Sequence, residues 1–174
     1  MRTRPLSAVT QPDMFPSSVI PHQEAVLSPY ARRTLRSAMN ILERQLREPG
    51  VAFTSASATR DWLRLQLAGE EREVFMVLFL DNQNRLIDHE TLFIGTINHT
   101  QVHPREVLKA VLKHNAAAVI LAHNHPSGLA EPSKADRCIT TRLQQGLALI
   151  DVCILDHLVI GGMDIVSFAE RGWL

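Results

Sequence analysis

Two stretches of the chain are apolar without interruption, "VFMVLFL" (74–80) and "AAAVILA" (116–122). Both are too short for an ordinary helix and rich in β-forming residues, which predicts strands buried on both faces. Elsewhere apolar residues recur at helical spacing. In "SPYARRTLRSAMNILERQLREPG", Leu35, Met39, Leu42 and Leu46 step by four, three and four, Ser28 can cap, Pro29 suits the first turn, and Pro49-Gly50 stops the helix. So narrow a stripe must be buried on the following domain or on a partner. A second helix is expected after Ser57 through "TRDWLRLQLAG", with Trp62, Leu63 and Leu65 available for packing. "HPREVLKAVLKHN" predicts a third, with Pro104 in its first turn, an apolar face of Val107, Leu108, Val111 and Leu112, and Asn115 as its stop.

Between these elements the polar turn "DNQNR" joins the first apolar run to "LIDHETLFIGTI", the signature of an antiparallel hairpin. A fourth helix opens at Ser133 and continues through "KADRCITTRLQQGLALI"; "VCIL" and "HLVI" predict two short strands, and "SFAERGWL" a closing helix. This order implies an α/β fold, a mixed β-sheet flanked by helices. Residues 1–27, with several Pro and Ser and no periodicity, are expected to form a mobile tail, 28–50 an N-terminal helix, and 51–174 the domain itself.

Composition changes this picture little. The 174 residues suffice for one domain and a short appendage, and 45% hydrophobic with 21% charged residues describes a soluble globular chain. Net charge is zero, divided as +3 over residues 1–50 and −3 over the rest, so no global field draws nucleic acid or an anionic membrane. That asymmetry permits a weak nucleic-acid contact at the N-terminal end without arguing for one. Cys138 and Cys153 form no C-x-x-C pair and suit a reducing cytoplasm. The first residues lack the apolar core of a signal peptide, and no run reaches transmembrane length. Cytoplasmic localisation, without a membrane, is the expectation.

The chemistry concentrates in "ILAHNHPSGLAEPSKADR", where the second buried strand runs into His123 and His125. In a strand, positions i and i+2 share a face, so both imidazoles can address one point. The following loop returns a helix whose cap is Ser133 and whose first turn holds Asp136. Two His and one Asp leave a fourth tetrahedral position for water, as in catalytic zinc sites. The bland alternative is a strand, a polar turn and a capping box.

At these residues the chain resembles a known family. His123, His125, Pro126, Ser133 and Asp136 have the spacing of the JAMM motif of JAB/MPN+ metalloproteases. "HNHPSG", preceded by "GTI" and "HPREV" and followed by "LDHLVIGG", is similar to the RadC-like (UPF0758) branch, over about residues 57–174. The resemblance implies a cytidine-deaminase-like JAB/MPN fold and one Zn2+ per chain held by His123, His125 and Asp136. Deubiquitinating members usually have Ser or Thr where this chain has Asn124, which leaves the substrate class open. The family places its catalytic Glu on the first strand of the domain, which carries over to Glu73. Glu90, on the next strand, is the competitor, and Glu71 lies farther into the turn. For Ser133 the resemblance implies a hand in holding the oxyanion.

Three functions follow as expectations: a zinc-dependent hydrolase of a peptide or protein substrate, a nucleic-acid-associated or DNA-repair-associated protein, and a non-catalytic zinc-containing interaction module. The tripeptide "HNH" resembles HNH nucleases only superficially, since those spread their key residues over a ββα unit. Asp156-His157 is read as a strand-end polar pair in preference to a support for the metal site. His89, His99, His103 and His114 have no partner spacing, and Trp62 and Trp173 read as packing residues.

Overall fold

The computed structural model describes residues 27–47, 56–95 and 101–174. Its elements run α1 (Pro29–Arg47), α2 (Ala56–Leu67), β1 (Val74–Leu80), β2 (Leu86–Ile94), α3 (Pro104–Lys113), β3 (Ala118–Asn124), α4 (Lys134–Ala148), β4 (Cys153–Gly161) and β5 (Asp164–Ser167). The predicted tail before Leu27, the Pro49-Gly50 stop, the part of the second strand beyond Gly95, and His99 lie outside the described residues.

The two uninterrupted apolar runs become the middle of one sheet, ordered β2-β1-β3-β4-β5. β1 and β3 are buried at every position and pair antiparallel, Phe75 opposite His123 and Leu80 opposite Ala118. β3 and β4 are parallel, and the other pairs antiparallel. The β1–β2 hairpin forms as its turn residues predict. Asp81 accepts from the backbone N–H of Gln83 and Arg85 and from the Arg85 guanidinium, while Asn84 takes the left-handed conformation at φ 58°.

Each sheet face carries its own core. On one, Val74, Met76, Leu78, Leu80, Ala118, Ile120, Ala122, Leu158 and Ile160 pack with Trp62, Leu63 and Leu67 of α2, and Leu42 of α1 rests against them. On the other, Phe75, Val77, Phe79, Val119 and Leu121 pack with Val107, Ala110 and Val111 of α3 and Leu143 and Leu147 of α4. At Leu42, then, the α1 stripe packs within the chain. Alternation along β3 sends His123 to the α3/α4 face and Asn124 to the α2 face.

Several expectations are corrected. Leu65 and Leu112 are 37% and 59% exposed, and Leu67 and Ala110 take the packing positions. "VCIL" and "HLVI" form one strand, β4, because Asp156 does not interrupt it; its carboxylate accepts from the His157 N–H, the Ser167 hydroxyl and the Ala169 N–H. The expected closing helix is instead the end of β5 followed by turns, stapled by those same bonds and turned at Gly172 (φ 65°). Trp173 does pack, against Phe168, with the guanidinium groups of Arg137 and Arg171 over its ring at 4.3 and 4.8 Å. Arg171 in turn grips Glu131 in the loop before α4 with two bonds of 2.6 Å.

Candidate metal centre

The site lies where β3 ends, β1 begins and α4 opens. Among the described residues, His123, His125 and Asp136 form a group whose ligand atoms lie within 4.8 Å of one another. The His123 and His125 Nε2 atoms are 3.1 Å apart, and the Asp136 oxygens stand 3.5 Å from His123 Nε2 and 3.7 Å from His125 Nε2. Tetrahedral ligands at about 2.0–2.1 Å from one ion stand about 3.3 Å apart; the two imidazole nitrogens are near that spacing, and each has an Asp136 oxygen a little beyond it, Oδ1 for His123 and Oδ2 for His125.

Their hydrogen bonds settle which nitrogens carry protons. His125 Nδ1 is 2.7 Å from the Leu129 carbonyl, which only accepts, so Nδ1 carries an N–H and, in the neutral ring, Nε2 holds the lone pair. His123 is set by a longer chain. Thr140 Oγ1 donates to the Asp136 carbonyl at 2.6 Å and accepts from His157 Nδ1 at 2.6 Å. His157 Nε2 is then an acceptor, and His123 Nδ1, 2.9 Å away, donates to it. This leaves the His123 Nε2 lone pair aimed at the same point as that of His125. His157 is fully buried, and that burial, opposed by the charge of Asp136, holds its pKa well below 6.5 and keeps it neutral, as the chain of bonds requires.

Asp136 is oriented by the capping box of α4. Its Oδ2 accepts from the Ser133 N–H at 2.7 Å and the Ser133 hydroxyl at 2.6 Å, and its own N–H donates to Ser133 Oγ at 3.1 Å. Burial pushes this carboxyl up, but His123, His125 and Ser133 together hold it well below the usual range, so it is an anion. The His125 pKa is raised, chiefly by Asp136 and against burial, with the Leu129 carbonyl and the charge of Glu73 adding to it. With both imidazoles neutral, two lone pairs and a carboxylate converge on one point, a group able to hold a metal ion once the His125 proton is displaced. The capping box and the candidate metal-holding group therefore share Asp136, and the two sequence readings of Ser-x-x-Asp are compatible.

Glu73, half-buried, immediately precedes β1 on the side of Phe75, whose ring stacks on His123 at 6.1 Å. Glu90 sits farther along the hairpin, opposite Val77, where it accepts from Lys113 at 2.7 Å and His114 at 2.9 Å; those partners lower its pKa. His89 meets Trp62 and His103 meets Phe93, each edge-on, and His114 stacks on Phe79. The sequence reading missed Thr140 and ranked His157 second. Thr140 is four residues past Asp136, on the same helix face, and that spacing was a usable signal. Of Asp156-His157, only His157 supports the site.

A five-stranded mixed sheet flanked by four helices, with a His-x-His strand end facing a helix-borne Asp, defines a JAB/MPN-type α/β domain with a candidate metal site. Residues 53–173 match the family model described as the RadC-like JAB domain, and the chain belongs to that family. It is 59% identical over 161 residues to UPF0758 protein YfjY of Escherichia coli (strain K12), covering 92% of this chain and all of that one. UPF0758 proteins YkfG and YeeS of the same organism are 61% and 60% identical over 148 residues, covering 85% of this chain and 94% and 100% of theirs.

Proposed function

We propose that the chain is a zinc-dependent hydrolase of metallopeptidase type, acting on an amide bond of a peptide or protein. One observation carries the reading: the bonded series Asp136 carbonyl, Thr140, His157, His123 points a ligating lone pair into a site of zinc-like spacing. His123 and His125 through Nε2, and Asp136 through a carboxylate oxygen, would hold the ion. When bound, zinc supplies a Lewis acid and a water acidic enough to ionise near neutral pH.

The chain's own groups do the rest. Glu73 takes the proton of the attacking water and returns it to the leaving amine. The charge of Glu73 already acts on His125, after Asp136 and Leu129, and Glu90 sits farther along the hairpin, opposite Val77. Ser133 Oγ, at the positive end of α4, turns from Asp136 Oδ2 to the developing oxyanion. Cys138 and Cys153 are free and exposed, a state that a reducing compartment maintains, which supports action in the cytoplasm.

The test is metal content and peptide-library turnover of the wild type, Glu73→Gln and Asp136→Ala. The reading expects about one zinc in the first two and none in the third, with turnover in the wild type only. A folded wild type without zinc, or Glu73→Gln with undiminished turnover, refutes it.

A further inference from the structure

The β1–β3 ladder ends at Phe75–His123. Beyond it the backbone of β3 turns to β4, the His125 N–H donating to the Ile160 carbonyl at 2.8 Å. Residues 70–74, which include Glu73, are held toward β3 by a side chain instead. Asn124 Oδ1 accepts from the Val74 N–H at 2.8 Å, and Asn124 Nδ2 donates to the Arg72 carbonyl at 3.0 Å and the Glu70 carbonyl at 3.2 Å. These partners fix the amide's orientation, since an N–H only donates and carbonyls only accept. Asn124 is 3% exposed and faces away from the ligand nitrogens on either side of it. On the far side of the segment the Glu73 carbonyl accepts from the Gly95 N–H at 2.8 Å.

We propose that Asn124 is a positioning residue: its three bonds lock the backbone bearing Glu73 to the strand bearing His123 and His125, and so set the general base against the metal. The inference rests on the reading of Glu73 as that base. Asn124 touches neither metal nor substrate. A hydroxyl residue there is shorter and has one donor, so it cannot serve both carbonyls and the Val74 N–H together.

The experiment uses the full chain loaded with cobalt(II), comparing the wild type with Glu73→Gln, Asn124→Ala and Asn124→Asp. Cobalt stoichiometry, the visible spectrum and backbone hydrogen exchange across residues 70–75 are read. Every variant is expected to bind about one cobalt. Glu73→Gln shifts the visible bands by removing the carboxylate beside the cobalt's water. Asn124→Ala shifts them in the same direction and speeds exchange of the Val74 amide by about five- to tenfold, the equivalent of one lost hydrogen bond. Asn124→Asp, which sets an oxygen against two carbonyls, shifts the bands further than Ala. Asp is also the size of Asn, so it keeps the inference testable if Ala does not fold.

A packing role predicts the reverse order, with Asp nearest the wild type, and that order overturns the proposal. So do unmoved bands in both Asn124 variants while Glu73→Gln shifts them, and so does loss of cobalt, which would assign Asn124 to the ligands. If Glu73→Gln itself leaves the spectrum unmoved, the base reading fails and this inference with it.

Discussion

Thr140→Val isolates the device that sets the His123 tautomer. Valine keeps the shape of threonine but removes Oγ1, and with it the 2.6 Å bonds to the Asp136 carbonyl and His157 Nδ1. Left alone, the buried Nδ1–H of His157 costs about 1–3 kcal/mol. His157 avoids part of this by moving its proton to Nε2, which lies 2.9 Å from His123 Nδ1. His123 must then carry its own proton on Nε2, where it cannot ligate. Loss of such a supporting bond lowers metal affinity by about 10- to 100-fold, or about 1.4–2.8 kcal/mol. Competition with a chromophoric chelator reads zinc affinity, and urea unfolding of the metal-free chain reads stability separately. Thr140→Ser keeps both bonds and should bind zinc like the wild type. A Thr140→Val protein that loses stability yet binds zinc within about twofold of the wild type would refute the tautomer argument.

Three further outcomes follow. Ser133→Ala should lower turnover by about 10²- to 10³-fold if Ser133 stabilises the oxyanion, and stability by about 1 kcal/mol through the lost cap; a fall in stability alone assigns Ser133 to structure. Zinc affinity should rise with pH. His125, raised above 6.5 chiefly by Asp136, contributes stability to the metal-free chain that is complete below 6.5 and lost as pH climbs through the raised value, and zinc must displace that proton. Calorimetry in buffers of different ionisation enthalpy would count the released proton, and affinity flat across this window contradicts the assignment. Gly161→Ala would set a Cβ 2.2 Å from the Ala130 nitrogen and 2.5 Å from the Leu129 carbonyl carbon, both backbone atoms. The loop must move, drawing the Leu129 carbonyl from His125, so thermal melts should fall by the equivalent of about 1–3 kcal/mol and zinc affinity should drop with them. An unchanged melt denies the close approach.

The central strands, the hairpin and the helix starts were legible in the sequence because each rests on a local pattern. Uninterrupted apolar runs, Asp and Asn in a turn, and Ser at a cap all act within a few residues. The clustering of His123, His125 and Asp136 was legible for the same reason, since His-x-His fixes strand parity and Ser-x-x-Asp fixes a helix start. The placing of His157 beneath the trio was not, because it depends on a register irregularity. β4 carries an extra residue between Val119–Ile154 and Ile120–Asp156. Ile154 lies on the α3/α4 face, and simple alternation would put Asp156 there with it. The bulge at Leu155 moves His157 to that face instead, and no pattern in the chain announces it. The "closing helix" failed for a related reason, because its backbone was captured by Asp156 from outside the segment and by the side chain of Ser167 at its first position.

The alternation of His123, Asn124 and His125 across β3 has a bearing on how this segment can change over generations. The residues leading up to the triplet, Ala118 to Ala122, are all apolar and buried, and one apolar side chain can replace another there at modest cost. Their number is under a different constraint. Deleting one would rotate the triplet by half a turn, sending both imidazoles to the α2 side and the amide to the metal side. Such a strand can drift in spelling but hardly in length, so insertions and deletions should be purged from it far more severely than substitutions.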